Sequence, residues 1–323
     1  MAIVGFFDSL TDLENLADDR FLAGIVEEII KEGDILSMLP VTQLDSKSLI
    51  YNREVDLPSG HFVDIGEVIP TDATVDTTQI SVALKRIVAQ YDLDKFTRDT
   101  YRNPNNIEAI AISLTRKGLN HWTNDRLVYA NNSSNSKEFN GLHALVAAAM
   151  QLNQGSGATG APLSLTLLDQ LIDLVLPKAD YLFMNKNVRR RMSALARGGS
   201  TSFPVIWGTE QIGGNLAPVI TAYRDVPVIV SDHIGMVETI SGGDFSAKTG
   251  GATTSIFACR LGSVEEGGLT LLAGNEMFQL DIFPSLEDKD ASRYRLKWYV
   301  AVALGSTLSL GRIDGITDEP VVS

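Results

Sequence analysis

The stretch from Ser48 to Gly66, SLIYNREVDLPSGHFVDIG, decides how the rest of the chain is interpreted. Its first half alternates in the way of a β-strand, but neither face is cleanly apolar, because Tyr51 and Arg53 share one face with leucine and valine. Pro58 to Gly60 is a turn signal, and apolar residues from Phe62 onward predict a returning strand. A two-stranded hairpin is only marginally stable alone in water. The pattern therefore predicts a long β-hairpin that lies against a neighbour.

The N-terminal segment, residues 8–34, is predicted to be helical. A capping box at Thr11 to Glu14 precedes apolar residues at helical spacing, and Gly33 is placed to end the helix. The apolar stripe consists of Phe21, Leu22, Ile25, Val26, Ile29 and Ile30. The opposite face is acidic, so the segment is either an ordinary surface helix or an arm whose stripe contacts a neighbouring subunit.

Further along, helices and strands are mixed, which predicts an α+β fold. A helix is predicted from Ile107 to about Tyr129, with Ile110, Ala111, Leu114 and Trp122 on its buried face. LHALVAAAMQ, residues 142–151, also suggests a helix. A further helix follows a capping box at Thr166 and Asp169 and ends at Pro177. The last clear element is a long strand from Arg293 to Leu304.

Composition excludes several classes of protein. The chain has 323 residues, 44% hydrophobic content and a net charge of −13, so it can bury a core but is poorly suited to gripping nucleic acid. Its one cysteine excludes an internal disulfide. No apolar run approaches about 18 residues, and the first residues lack the basic region of a signal peptide. The expected setting is a reducing cytoplasm or a particle assembled there.

Gly155, Gly157 and Gly160 spell the G-x-G-x-x-G pattern of nucleotide-binding loops. That interpretation requires a strand before the glycines and a helix directly after them. Here the preceding residues are predicted to be helical, and Pro162 delays the next helix. A plain loop is favoured, and a soluble enzyme that uses the 155–160 loop for phosphate is the alternative.

Other residues of types that could serve in catalysis or metal binding are also better explained by a structural role. Cys259 lies in an apolar, strand-like run, where an inert buried thiol is the default. The four histidines have no metal-ligand spacing, and Asp232 and His233 would point to opposite faces of a strand. We therefore predict no catalytic residue, no metal and no cofactor. A basic trio is formed by Arg189, Arg190 and Arg191. It is either a solvated helix face or a binding site for acidic residues of a neighbouring subunit.

The order of these elements resembles that of a tailed-bacteriophage major capsid protein with the HK97-like fold. The stretches that carry the resemblance are HFVDIGEVIPTDATVDTTQISVALKRIVAQYDLDKFTRD, FNGL, LTLLDQLIDLVLPKADYLFMN, YRDVPVIVSDHI and RYRLKWYVAVAL. They span most of the chain, and their order is a stronger signal than any single motif.

The resemblance implies a division of the chain and a set of contact residues. The implied divisions are an N-terminal arm (1–44), an extended loop or E-loop (45–84), a peripheral domain with a long spine helix (85–177), an axial domain (178–287), the final strands of the peripheral domain (288–316) and a C-terminal tail (317–323). The candidate subunit-interface residues are Phe21, Ile25, Ile29, Tyr51, Arg53, Pro58, Gly60, Phe62, Arg189, Arg190 and Arg191.

The resemblance also implies a function and partners. The chain would assemble into hexamers and pentamers of an icosahedral head, together with a portal and a decoration protein, and would enclose double-stranded DNA without binding it specifically. The virion capsid would be assembled in the host cytoplasm. Because the arm begins close to Met1, either a built-in scaffold segment was removed or the scaffold is a separate protein, and the separate protein is favoured. An encapsulin-like nanocompartment shell is the alternative within the same fold.

The founding member of that family cross-links its shell through a lysine in the E-loop. The predicted tip here, Leu57 to Phe62, contains no lysine, and Lys47 lies at the hairpin's base. A non-covalent shell is therefore expected.

Overall fold

The computed structural model describes residues 31, 33, 35–55, 60–68, 77–100, 107–155, 160–197, 205–212, 215–238, 251–274 and 279–322. The α-helices are α1 (Lys95–Thr100), α2 (Ile107–Tyr129), α3 (Leu142–Leu145), α4 (Leu165–Leu174) and α5 (Lys186–Arg197). The strands are β1 (Val41–Gln43), β2 (Ser48–Glu54), β3 (Thr77–Ala83), β4 (Lys85–Asp94), β5 (Gln151–Asn153), β6 (Tyr181–Met184), β7 (Val205–Ile212), β8 (Asn215–Tyr223), β9 (Val226–Val230), β10 (Thr254–Cys259), β11 (Leu269–Ala273), β12 (Gln279–Phe283), β13 (Ala291–Leu304) and β14 (Leu310–Ile316). Within these residues, no helix is long and apolar enough to cross a membrane.

Strand β13 organises the first sheet. It pairs with β4 along one edge and with β12 and then β11 along the other, and β1 extends the sheet beyond β11. Residues Val300 to Leu304 are all buried, whereas the earlier part of β13 alternates between buried and half-buried. The change from alternating to continuous apolar sequence therefore marks where β13 becomes enclosed on both faces.

The second sheet has the order β5-β14-β10-β6-β9-β8-β7. The stretch around Pro227 forms β9, an interior strand rather than an edge strand. Proline is tolerated because β6 pairs only from Val228 onward, so the missing N–H of Pro227 faces no partner in β6.

The main core joins both sheets to α2. Leu127 of α2, Phe257 of β10, Val302 of β13 and Leu310 of β14 belong to one buried cluster. A second cluster packs α4 and α5 against the second sheet. Helix α2 thus lies where its buried face can hold the two sheets together.

Sheet membership does not follow the predicted division of the chain. Strands β11 and β12, within 178–287, pair in the first sheet, and β14, within 288–316, pairs in the second. After β10 the chain passes to the first sheet and then, at β14, returns to the second. Local periodicity does not encode which of these distant strands pair. The domain limits themselves stay a prediction.

Several local predictions are confirmed and others are wrong. The long helix has the predicted bounds, but Trp122 is exposed, because the residues at 119, 123 and 127 turn towards the core instead. The region 142–151 contains a short helix and the start of β5 rather than one helix. Helix α4 has Ser164 at its N-cap, ahead of the predicted box at Thr166.

The predicted hairpin exists, but its second strand is different. Strand β2 pairs with β3, from Ser48 opposite Ala83 to Glu54 opposite Thr77. Residues 60–68 form no strand. The connection between the two strands is therefore longer than the Pro58 to Gly60 turn predicted, and it contains the apolar residues that were expected to pair.

Candidate assembly surface

The base of the hairpin is fastened to its own chain. The Tyr51 hydroxyl donates to the Leu304 carbonyl over 2.7 Å, and Arg53 Nε donates to the Gly305 carbonyl over 2.9 Å. A second guanidinium nitrogen of Arg53 also donates to Leu304, and burial raises the pKa of the Tyr51 phenol. These bonds set the direction in which the hairpin leaves the end of β13. The expected contact of both side chains with a neighbouring subunit stays a prediction.

Beyond the hairpin's base, the loop presents large apolar side chains to solvent. Phe62, Ile65 and Val68 have relative exposures of 108%, 102% and 87%. The Asp64 carboxylate accepts a hydrogen bond from the Ile65 amide, and the Glu67 carboxylate accepts one from the Asp64 amide. These bonds form a turn that holds Ile65 outward. Apolar groups concentrated in this way are typical of a surface that another protein covers.

Apart from the three arginines, the remaining interface candidates divide into two groups. Gly60 has open space around it. Phe21, Ile25, Ile29 and Pro58 lie outside the described residues. Their contacts stay predictions.

The arginine trio has an acidic partner within the same subunit. Arg190 and Arg191 both bind the Asp318 carboxylate, at 2.7 and 2.8 Å, and Arg191 also donates to the Asp318 carbonyl. The hydrogen bond from Arg191 lowers the pKa of Asp318. Arg189 is half-buried on the same helix. Two members of the trio therefore hold the C-terminal segment on α5.

Asp232 and His233 do not act as a pair. His233 is buried, and its Nδ1 lies 2.8 Å from Asp125 of α2, whereas Asp232 contacts Lys186 at 3.1 Å. Both residues lie in the turn that follows β9 rather than in a strand, and their side chains bind different elements. Lys31 also contacts Asp125. This cluster fastens the chain around residue 31 to α2.

The glycine loop lacks the geometry of a phosphate site in its described part. A strand, β5, does precede it, contrary to the sequence prediction. However, the amides of Gln154 and Ala161 donate to carbonyls of Asp314 and Gly315, so they cannot cradle a phosphate. Helix α4 begins only at Leu165. The backbone on both sides of the loop is thus hydrogen-bonded to β14 of the second sheet, which favours the plain-loop interpretation.

Cys259 is fully buried in β10, where burial raises the pKa of its thiol. A thiol held protonated in this way is a poor nucleophile. Among the described residues, no group of three or more acidic, histidine or cysteine side chains could hold a metal ion.

A buried polar cluster that no sequence motif indicates surrounds Glu238, and we call it the Glu238 cluster. The Glu238 carboxylate accepts from Tyr129 at 2.8 Å, from His143 Nε2 at 3.1 Å and from Ser255. Arg312 donates to His143 Nδ1. Burial lowers the pKa of His143, so the ring is neutral, with its proton on Nε2 facing Glu238.

The Glu238 cluster joins α2, α3, β10 and β14. Its members are far apart in sequence, so no spacing motif could reveal them. Glu238 and His143 are both almost completely buried. The arrangement resembles a catalytic triad only in composition, and its burial is typical of a structural network that locks elements together.

A second ionic cluster joins β4 to β13 in the first sheet. Asp92 of β4 accepts from Arg293 of β13 at 2.7 and 3.0 Å and also binds Lys289. The hydrogen bonds from Arg293, reinforced by Lys289, lower the pKa of Asp92 to about 2 from an ordinary value of 3.8.

We expect Asp92 to make the subunit's stability depend on acid pH. Because the folded-state pKa is the lower one, this stability is complete above pH 4 and is lost as the pH falls towards about 2. Urea denaturation of the unassembled chain between pH 5 and pH 2 measures it. Asp92→Asn should flatten the dependence, whereas Asp281→Asn, which breaks a surface pair with Lys297, should leave it in place. Equal acid sensitivity in wild type and Asp92→Asn would contradict this assignment.

No protein-family model and no curated protein matches the chain. Solved structures do match over nearly its full length. The holo-SrpI encapsulin complex from Synechococcus elongatus PCC 7942 matches with a TM-score of 0.67 at 16% identity, covering 97% of both chains. The capsid of the native GTA particle matches with a TM-score of 0.62 at 12% identity, covering 94% of this chain and 96% of that one.

A structure from Microbacterium phage Oxtober96 matches with a TM-score of 0.63 at 14% identity, covering 96% of this chain and 98% of that one. At these identities the similarity is one of architecture. Because it covers nearly the whole of each chain, it includes the hairpin, the long helix and both sheets together. The chain therefore has the HK97-like α+β fold that its order of elements predicted.

Proposed function

We propose that this protein is the subunit of a closed protein shell that assembles from many copies of itself as hexamers and pentamers. The observation that carries the proposal is the hairpin. Its base is fastened to the subunit at Leu304 and Gly305, while its connecting loop exposes Phe62, Ile65 and Val68. An apolar loop held away from its own core needs another copy to cover it, and repeated head-to-tail contacts of this kind close into rings.

Within this class, we propose the head of a tailed phage that encloses double-stranded DNA. The net charge of −13 supports it, since an acidic shell does not grip the DNA that is packed inside. A separate scaffolding protein, a portal and a decoration protein would be its partners. The virion would be its location, with assembly in the host cytoplasm. We propose no catalytic activity.

An encapsulin-like nanocompartment is the second candidate. It is favoured by the similarity to the SrpI encapsulin, which extends over 97% of both chains. The two candidates share the shell and differ in what it encloses.

Electron microscopy of the purified protein tests the proposal. We expect closed shells of uniform size, formed by the chain alone or after addition of its scaffold. Nuclease-protected DNA in particles from the native source would support the phage head, and a co-purified enzyme would support the nanocompartment. A strictly monomeric protein at high concentration, with scaffold present, would contradict shell formation itself.

We also expect the shell to be held by non-covalent contacts alone. No lysine occurs between Val55 and Asp76, the whole connection between β2 and β3, and Lys47 lies just before β2 at the hairpin's base. Particles boiled in detergent under reducing conditions should run as one band near 35.0 kDa. A ladder of dimers, pentamers and hexamers would show that a lysine elsewhere forms cross-links.

A further inference from the structure

A cavity of about 300 Å³ lies at the base of the hairpin, and we call it the hairpin-base cavity. Strands β2 and β3 line it with Tyr51, Arg53 and Ser81, and Lys85 lines it from the start of β4. Helix α3 and the loop before it also contribute to the wall. Its volume is at the lower end of the range, about 300–1,000 Å³, in which proteins hold small ligands.

Part of the wall is apolar and belongs to the main core. Phe139, Val302 and Leu304 line the cavity, and each is almost completely buried. Leu145 of α3 lines it as well and is half-buried. Such a surface suits the hydrocarbon part of a ligand, because ligand sites combine mostly apolar walls with a few polar groups that fix orientation.

The hairpin-base cavity is basic although the protein is acidic. Arg53 and Lys85 line it, and among the residues that the structure describes none of its lining side chains is a carboxylate. The whole chain has 40 acidic and 27 basic residues, so its composition favours the opposite sign. Low-dielectric walls focus the field of charges inside a cavity. The hairpin-base cavity therefore attracts anions.

Both cations bond only to neutral oxygens within the part of the chain that the structure describes. Arg53 donates to two main-chain carbonyls at the end of β13. Lys85 Nζ donates to Asn132 Oδ1 at 3.1 Å and to the Ser136 carbonyl at 2.7 Å. A guanidinium group has five N–H donors and an ammonium group three, so each cation keeps a donor and an uncompensated charge for a ligand.

We propose that the hairpin-base cavity binds a carboxylate group that carries an apolar body, with Arg53 and Lys85 attracting the carboxylate and Phe139 and Val302 contacting the body. A carboxylate is favoured over a phosphate dianion, because apolar walls do not solvate additional charge. A ligand there touches the hairpin strands and the chain around α3 at once, so it holds the hairpin against the rest of the subunit.

Two sources can supply this chemistry. One is a free organic acid, and the other is an aspartate or glutamate side chain of a neighbouring copy. The second source rests on the proposed function, whereas the first does not, and the unassembled chain therefore tests the cavity by itself.

Titration of the unassembled full-length chain with hexanoate, followed by ligand-observed NMR at neutral pH and constant ionic strength, tests the site. Hexanoate should bind saturably. Acetate, which lacks the body, and 1-hexanol, which lacks the charge, should each bind roughly fivefold more weakly or worse. Absence of saturable hexanoate binding, or equal binding of 1-hexanol, would overturn the proposal.

Substitutions place the binding in the cavity. Lys85→Gln should weaken hexanoate binding roughly fivefold or more, and Lys85→Arg, which keeps the charge, should restore most of it. Lys178→Gln, at an exposed lysine outside the cavity, is the matched control and should have no effect. Equal binding by the Lys85→Gln and Lys178→Gln variants would contradict the assignment.

A variant that fills the cavity keeps both charges. Ala144→Leu adds volume to the wall and should weaken hexanoate binding roughly tenfold or more. Circular dichroism verifies that each variant is folded. Unchanged binding in the folded Ala144→Leu variant would show that hexanoate binds elsewhere, and the proposal would fail.

Closed shells distinguish the two sources. Shells that bind hexanoate as tightly as the unassembled chain assign the cavity to a free acid. Shells that exclude hexanoate, together with a lower yield of shells from Lys85→Gln, assign it to a neighbour's carboxylate. If no shell forms, the proposed function fails, but the titration of the unassembled chain still decides this inference.

Discussion

Replacing Phe62 and Ile65 together by serine is expected to reduce the yield of closed shells at least tenfold while leaving the subunit folded. Burying a phenylalanine or isoleucine side chain contributes about 1.5–3 kcal/mol, and tenfold in an equilibrium constant corresponds to about 1.4 kcal/mol. The loss recurs at every copy of the contact, so its effect on a closed assembly is multiplied.

The same substitutions should hardly affect folding, because both side chains are fully exposed in the isolated subunit. Exposed positions of this kind usually change the free energy of unfolding by no more than about 0.5 kcal/mol. Light scattering and electron microscopy measure assembly, and urea denaturation of the unassembled chain measures stability. Val322→Ser, at an exposed valine of the C-terminal segment, is the control. Normal shells from the double variant would exclude this loop from the subunit contacts.

Glu238→Ala is expected to lower the free energy of unfolding by about 3–5 kcal/mol, the largest effect we predict on stability. The substitution leaves the hydroxyls of Tyr129 and Ser255 and the Nε2–H of His143 buried without their shared acceptor. Each such unpaired donor costs about 1–3 kcal/mol, and because the three share one network their costs do not simply add.

Two variants make this test specific. Glu238→Gln keeps an acceptor oxygen and should lose less stability than Glu238→Ala. Asp281→Ala breaks a partly exposed pair with Lys297 at 2.7 Å and should cost less than about 1 kcal/mol. Urea denaturation of the unassembled chain provides the values. If Glu238→Ala were no more destabilising than Asp281→Ala, the Glu238 cluster would have no part in holding α2 and α3 on the second sheet.

Local patterns in the sequence were sufficient for the elements whose signals lie within one stretch of chain. The bounds of α2 follow from apolar residues at helical spacing, and the extent of β13 follows from an alternating pattern that continues as an apolar run to Leu304. The burial of Cys259 followed from its apolar strand in the same way. The order of such elements was enough to predict the HK97-like fold, since order along the chain is a property of the sequence itself.

The tertiary structure alone decided which distant residues meet. Strand β2 could have paired with the apolar residues just after its turn signal, but it pairs with β3, because register depends on the whole surface against which a strand packs. Tyr51 and Arg53 contact their own chain about 250 residues later, at carbonyls that no periodicity distinguishes. Tyr129 and Glu238 are separated by 109 residues, yet they form the centre of the buried polar cluster. A hydrogen bond depends on the position and direction of two groups in space, and sequence spacing specifies these only within a single helix, strand or turn.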